Sequence, residues 1–131
     1  MQITRIYTGD DGKSHFEDME IALPAPSAYG RSSREVTAIA IGFREGQVGE
    51  MDFHPVFRRQ LVITLEGQIE LECGDGSSRR FGPGDVFLAD DLTGQGHILR
   101  QIEGLRRSLV IPLSPDLDLD ELRTGVVQGG D

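Results

Sequence analysis

The stretch "LVITLEGQIELECGDG", Leu61 to Gly76, decides the fold. It holds two short runs, Leu61 to Glu66 and Gln68 to Glu72, rich in Leu, Ile and Val and split by the turn signal "EGQ". Runs of this length bounded by glycine are strands, and "GDG" is a hairpin signal because it supplies positive φ angles. The same grammar continues outward. "EVTAIAIGF" (Glu35 to Phe43), "DVFLA" (Asp85 to Ala89) and "SLVIPL" (Ser108 to Leu113) are further predicted strands. "REGQVGE", "GDGSS", "FGPGD" and "LTGQG" are the turns between them. Seventeen glycines suit a chain that reverses direction often. The expectation is an all-β fold.

The organisation predicted on this basis has three parts. Residues 1–34 form N-terminal strands and a loop packing on a barrel, residues 35–113 form the barrel, and residues 114–131 form an acidic tail. "LPAPSAYGRSSRE" (Leu23 to Glu35) is a long Pro- and Ser-rich connector. In "SPDLDLDELRTG", Ser114 as cap and Pro115 at the first helical position predict a short C-terminal helix. The closing "VVQGGD" is expected to fray.

The chain of 131 residues, with 37% apolar side chains, is sized for one domain with one sizeable core. Its net charge of −9 argues against nucleic acid and anionic membranes as partners. That excess sits mostly at the ends: residues 1–30 hold five acids and two bases, and residues 115–131 five acids and one base. The middle is nearly balanced, which leaves room for a positive barrel interior. No apolar run is long enough to span a bilayer and the start "MQITRIYTGDDG" lacks a signal-peptide layout, so a cytoplasmic protein is expected. The lone Cys73 has no disulfide or CxxC partner and is assigned no role.

From Gly49 onward the chain resembles the cupin superfamily. In "GEMDFHPVFRRQLVITLEG" Gly67 matches the closing glycine of the first cupin motif, Gln60 stands where the motif has glutamate, Val56 stands at its second histidine and His54 at its first. "FGPGDVFLADDLTGQGH" is similar to the second motif, with Gly84 in the "GD" turn and His97 as the remaining histidine, although Asp90 replaces a customary proline and the turn before His97 is longer. The resemblance implies a cupin jelly-roll barrel, a pocket inside it and pairing into homodimers. "SHFED", "HP", "RRQ" and "DDLTGQGH" also resemble a narrower group of small single-domain bacterial cupins, which implies a fold and a pocket location rather than an activity.

Cupin metals are held by imidazoles and a carboxylate, so the resemblance makes His54, Gln60 and His97 the metal candidates for a divalent first-row ion. Val56 cannot coordinate and Gln60 brings no charge, so such an ion would draw on water, substrate, or donors such as His15, Glu17 or Asp52. Without a metal, Arg58, Gln60, Thr64 and His97 are the substrate-binding candidates, with His97 and Arg58 catalytic. Gln60, Val62 and Thr64 share one strand face, as do His97, Leu99 and Gln101, which turns Arg100 away. Arg58 would bind a carboxylate or enolate bidentately at the pocket mouth, or else pair with surface acids. Histidine suits proton transfer near neutral pH. Asp90 and Asp91 either orient His97 or cap a turn. The functional expectation is a small organic metabolite bound in the barrel, with isomerase, cyclase or lyase chemistry; the alternatives are a non-catalytic sensor or a structural homodimer subunit whose strand "MQITRIY" adds to a partner's sheet.

Overall fold

The computed structural model describes residues 1–47 and 49–125. Ten strands and one helix follow in chain order. They are β1 (Gln2–Thr8), β2 (Ser14–Glu20), β3 (Ala25–Ser27), β4 (Gly30–Ser32), β5 (Gly42–Gly46), β6 (Met51–His54), β7 (Gln60–Glu72), β8 (Ser78–Phe81), β9 (Val86–Asp90), β10 (His97–Pro112) and α1 (Leu119–Thr124). The all-β expectation holds. The main sheet runs β2-β1-β9-β7-β10-β5, with β6 added on β10 and β8 on β7.

Two long strands turn this sheet into a two-layered barrel. The first half of β7 pairs with β9, its second half with β8, and β10 follows β7 along its length. The predicted turn at "EGQ" is therefore a bend within one strand rather than a break between two. At Gly67, φ is 77°, and a Cβ there would lie 2.8 Å from the Leu105 carbonyl oxygen and 3.0 Å from the Arg106 Cα. Only glycine permits this crossing of backbones. The ladder between β7 and β10 slips at the same place, between Gln101 and Arg107. Inward-facing positions change phase across it: Val62 and Thr64 are buried before Gly67, Ile69, Leu71 and Cys73 after it.

The core between the layers consists of Ile6, Val62, Phe87, Ala89 and Val110 facing Ile69, Leu71, Cys73 and Phe81. Each large aliphatic or aromatic side chain so buried contributes roughly 1.5–3 kcal/mol. A second core lies on the outer side of the first layer, where Ile3, Met19, Leu88 and Leu113 are covered by Leu122 of α1. Most residues of the predicted strand Glu35 to Phe43 lie outside any strand, apart from an isolated Ala38–Leu113 bridge followed by a bend at Ile39; the regular strand begins only at Gly42. Ile39, Ile41 and Phe43 stay exposed there.

Three further expectations are corrected by the packing. β1 pairs with β2 on one side and, in parallel, with β9 on the other, so "MQITRIY" offers no free edge to a partner. The helix starts later than predicted because Asp118, not Ser114, is its cap, accepting from the Asp120 amide at 2.9 Å. Ser114 instead closes a turn with Asp116 and Leu117. The connector Leu23 to Glu35 contains the small hairpin of β3 and β4. Val48, in the turn between β5 and β6, and the tail from residue 126 onward, read as frayed, lie outside the described residues.

Candidate functional site

The four sequence pieces "SHFED", "HP", "RRQ" and "DDLTGQGH" meet at one end of the barrel. Adjacent positions at the end of β9 send Asp90 and Asp91 to opposite faces, as strand pleating requires. Asp90, its side chain 3% exposed, is clamped on the outer face between Arg59 (Nε, 2.8 Å) and Arg5 (Nη2, 2.8 Å). Asp91 is fully buried on the inner face. One of its oxygens, Oδ2, accepts from the Ser14 hydroxyl at 2.8 Å and from His97 Nδ1 at 2.6 Å. Asp91 therefore orients His97, and Asp90 is an ion-pair partner.

Two glycines bring the pieces together. At Gly96, φ is 77°, and a Cβ would lie 2.0 Å from the carbonyl carbon of His54 and 2.3 Å from the nitrogen of Pro55. At Gly94 it would lie 2.3 Å from the carbonyl oxygen of Gly12, while the next amide, Gln95, donates to that oxygen at 2.9 Å. The longer turn before His97 thus docks on both β6 and the β1–β2 turn. His54 and His97 become register partners, their ring centroids 5.0 Å apart and tilted by 50°.

The partners of the imidazoles define their tautomers. His54 Nδ1 lies 2.8 Å from the Asp52 carbonyl oxygen, which only accepts, so Nδ1 carries the proton. The Asp91 carboxylate imposes the same choice on His97. In both rings Nε2 makes no hydrogen bond among the described residues and keeps its lone pair in the neutral form. His97 is 4% exposed and stands two residues from Leu99, which lines a cavity of about 490 Å³ opening where β5 and β6 part along β10.

The donor set can be weighed against the divalent metal that the resemblance implies. Two imidazole nitrogens whose opposite ring nitrogens donate to the Asp52 carbonyl and the Asp91 carboxylate are the kind of donor a metal uses. A third, anionic donor is missing: no group of three or more His, Cys, Asp or Glu among the described residues is placed to hold an ion. Asp91 is spent on His97 and Ser14, and Val56 packs against the core. His15 pairs with Asp11 at 2.9 Å, Glu17 with Arg5 and Arg123, and Asp52 caps the Phe53 amide. Gln60 opens β7 on the face of Val62 and makes no hydrogen bond to either histidine among the described residues. These residues do not fit a resident ion with the usual donor set, and no chemical step here runs through one.

The remaining candidates separate. Thr64 is fully buried with its hydroxyl unpartnered, beside Ser108 in the ladder. Arg58 is exposed, its guanidinium 5.2 Å from the ring of Phe57, itself 87% exposed, so the structure puts it outside the cluster of polar groups in the barrel. Arg100 pairs with Glu72, Glu70 and Glu50, turned away as its parity predicts. Cys73 is buried in the core, and burial first, then the nearby Asp75 charge, pushes its thiol up to about 11.

The residue that sequence reasoning missed is Arg106. It is 8% exposed, its Nε is buried without a partner, and its guanidinium makes no ion pair among the described residues. Burial, and then the Arg44 guanidinium, hold its pKa below the ordinary arginine range. Arg106, Ser108 and Val110 alternate inward along β10. The signal was available in "LRRSLV", but a strand begun at Ser108 ends before reaching it.

Fold and site together define a small two-layered β-barrel protein with a histidine-containing, polar interior. Among solved structures it is similar to the Cnp3 cupin domain of Schizosaccharomyces pombe, at 18% identity over 98% of this chain and 96% of that one, with a TM-score of 0.45. It is also similar to a protein provisionally described as ethanolamine utilization protein Q of Salmonella typhimurium, at 13% identity over 86% and 95% with a TM-score of 0.45. A protein of Neisseria meningitidis gives 18% identity over 61% and 84% with a TM-score of 0.46. No family model and no curated protein matches the chain. Among the described residues no helix is long and apolar enough to cross a membrane.

Proposed function

We propose that the barrel binds a small organic metabolite and that His97 moves a proton on it. The observation that carries this reading is the buried chain Ser14–Asp91–His97, with Nε2 of His97 left without a hydrogen bond among the described residues. A carboxylate on Nδ1 holds the ring in one orientation and stabilises the imidazolium that forms when Nε2 takes a proton. On a carbonyl compound, a C–H bond next to the carbonyl breaks, the proton goes to Nε2, and the electron pair moves onto the carbonyl oxygen. Return of the proton to another carbon or face gives isomerisation; loss of a group from the neighbouring carbon gives a lyase. His54, ring against ring with His97, is a second proton carrier on the same side.

The test is exchange of α-protons for deuterium in a panel of small oxo and hydroxy acids, followed by NMR in D2O. Wild type is expected to catalyse exchange in at least one compound. His97→Asn should abolish it, and Asp91→Asn should reduce it by 10²-fold or more, the order seen when a general base loses its orienting partner. Exchange that survives His97→Asn sinks the reading; binding without exchange in wild type favours the sensor.

Self-association, the structural reading, has one observation in its favour: the edge strand β5 and the segment before it expose Ile39, Ile41 and Phe43, the last by 82%. We propose that a second copy of the chain pairs along this edge, where unpaired backbone groups and apolar side chains coincide. Sedimentation velocity should give a dimer for wild type and a monomer for Phe43→Lys. A wild-type monomer at tens of micromolar removes the proposal.

A further inference from the structure

The unpaired charge inside the barrel asks for an occupant. Arg106 projects from β10 on the inward face, and it lines the cavity of about 490 Å³ together with Ser108. Leu99 and Met51 supply an apolar wall, and Arg44, the register partner of Ser108, adds positive charge at the exposed side. Glu45 also lines the cavity, and its carboxylate pairs with Arg107 at 2.6 Å, as does Glu66 at 3.4 Å, rather than with Arg106. A guanidinium buried without a carboxylate is costly in a fold that supplies many surface acids to other arginines. Such a charge persists where an incoming anion completes it.

We propose that this cavity is a carboxylate-binding site in which the Arg106 guanidinium is the counter-charge and Ser108 a hydrogen-bonding partner of the bound anion. The proposal rests on the reading that the barrel binds a small metabolite, and it names the metabolite's class. A planar fork of donors matches a carboxylate in two parallel hydrogen bonds. Arg106 is the buried cation that meets the carboxylate, and Arg44 stays at the exposed side. The cavity volume falls within the range of small-ligand sites, and its Leu99 and Met51 wall suits an apolar body on the acid. Leu99, which lines the cavity together with Arg106, stands two residues from His97 in β10.

The probes are acetate, benzoate and pyruvate, with inorganic phosphate and sodium chloride at matched ionic strength as controls. Thermal unfolding of wild type is expected to show a saturable rise with at least one carboxylate and none with chloride. Arg106→Met should unfold at a higher temperature than wild type without ligand, since a buried unpaired charge is gone, and should lose the carboxylate response. His97→Asn should keep that response. Should Arg106→Met fail to fold, the Nε–H resonance of Arg106 in wild type, shifted by the carboxylate and not by chloride, gives the same answer.

The proposal is overturned if no carboxylate acts on wild type, if Arg106→Met retains the response, or if phosphate binds as well as the carboxylates. The two readings fail separately. Carboxylate binding through Arg106 without proton exchange removes the catalytic role of His97 alone. Exchange lost in His97→Asn but indifferent to Arg106 removes only the anion site.

Discussion

The two ends of the barrel interior handle buried polarity differently. At the β6 end, Asp91 is fully buried, yet Ser14 and His97 both donate to it, and His97 is fixed by that contact. At the β5 end, Arg106 is nearly as buried and nothing among the described residues answers its Nε, nor the hydroxyl of Thr64 beside Ser108. The first arrangement orients its imidazole before any ligand arrives, through Asp91 Oδ2 alone, while Asp91 Oδ1 is buried without a partner among the described residues; a fixed imidazole is what acid–base chemistry needs. The second is incomplete without a ligand, which is what selective binding of a charge needs. The same strand thus carries an oriented imidazole and a buried guanidinium without an ion pair among the described residues.

The largest way to break this comparison is Gly96→Ala. A Cβ at Gly96 meets the His54 backbone at 2.0 Å with φ in the left-handed region, so β6 must move away from the turn that carries His97. The expected loss is about 4 kcal/mol or more, a large part of the stability of a domain this size. The urea midpoint checks it. A loss under about 1 kcal/mol would mean that some other contact sets the distance between the two histidines.

A smaller test sharpens the difference by asking how dry the end near Asp91 is. Burial pushes the Cys73 thiol up to about 11, and the Asp91 charge contributes in the same direction. Between pH 9 and 11 the unfolded chain loses that proton while the folded one keeps it, so the unfolded state binds fewer protons and stability falls as pH rises through this window. The fall attributable to Cys73 is at most about 2–3 kcal/mol. Cys73→Ala should flatten the stability profile of wild type between those pH values; parallel profiles would mean that water reaches the thiol.

Much of the barrel was legible in the chain because a half-buried strand imposes a period of two and a turn imposes glycine. The parity of Gln60, Val62 and Thr64 gave an inward face that the structure keeps, whereas in β10 both His97 and Ile98 are buried and the alternation expected through Gln101 breaks. What misled was the weight given to "EGQ", where glycine marks a crossing of layers within one strand, and to "EVTAIAIGF", whose alternation continues on an exposed edge. The four pieces of the narrower resemblance pointed to one place without saying why they go together. The reason is backbone contact: Gly94 and Gly96 admit Gly12 and His54 where no side chain could fit.

By itself the sequence determined the β architecture, which follows from local periodicity and turn spacing, and motif spacing singled out His54 and His97 as candidates. The tertiary structure alone decided which acid serves His97, since Asp90 and Asp91 are neighbours and only pleating sends one outward to two arginines and the other inward to the imidazole. It also decided which arginine is exceptional. Arg58 sits in the motif and ends at the surface, whereas Arg106 lies outside every motif and ends buried, because the slip of β10 past β7 sets its phase, and that slip is a property of two strands together.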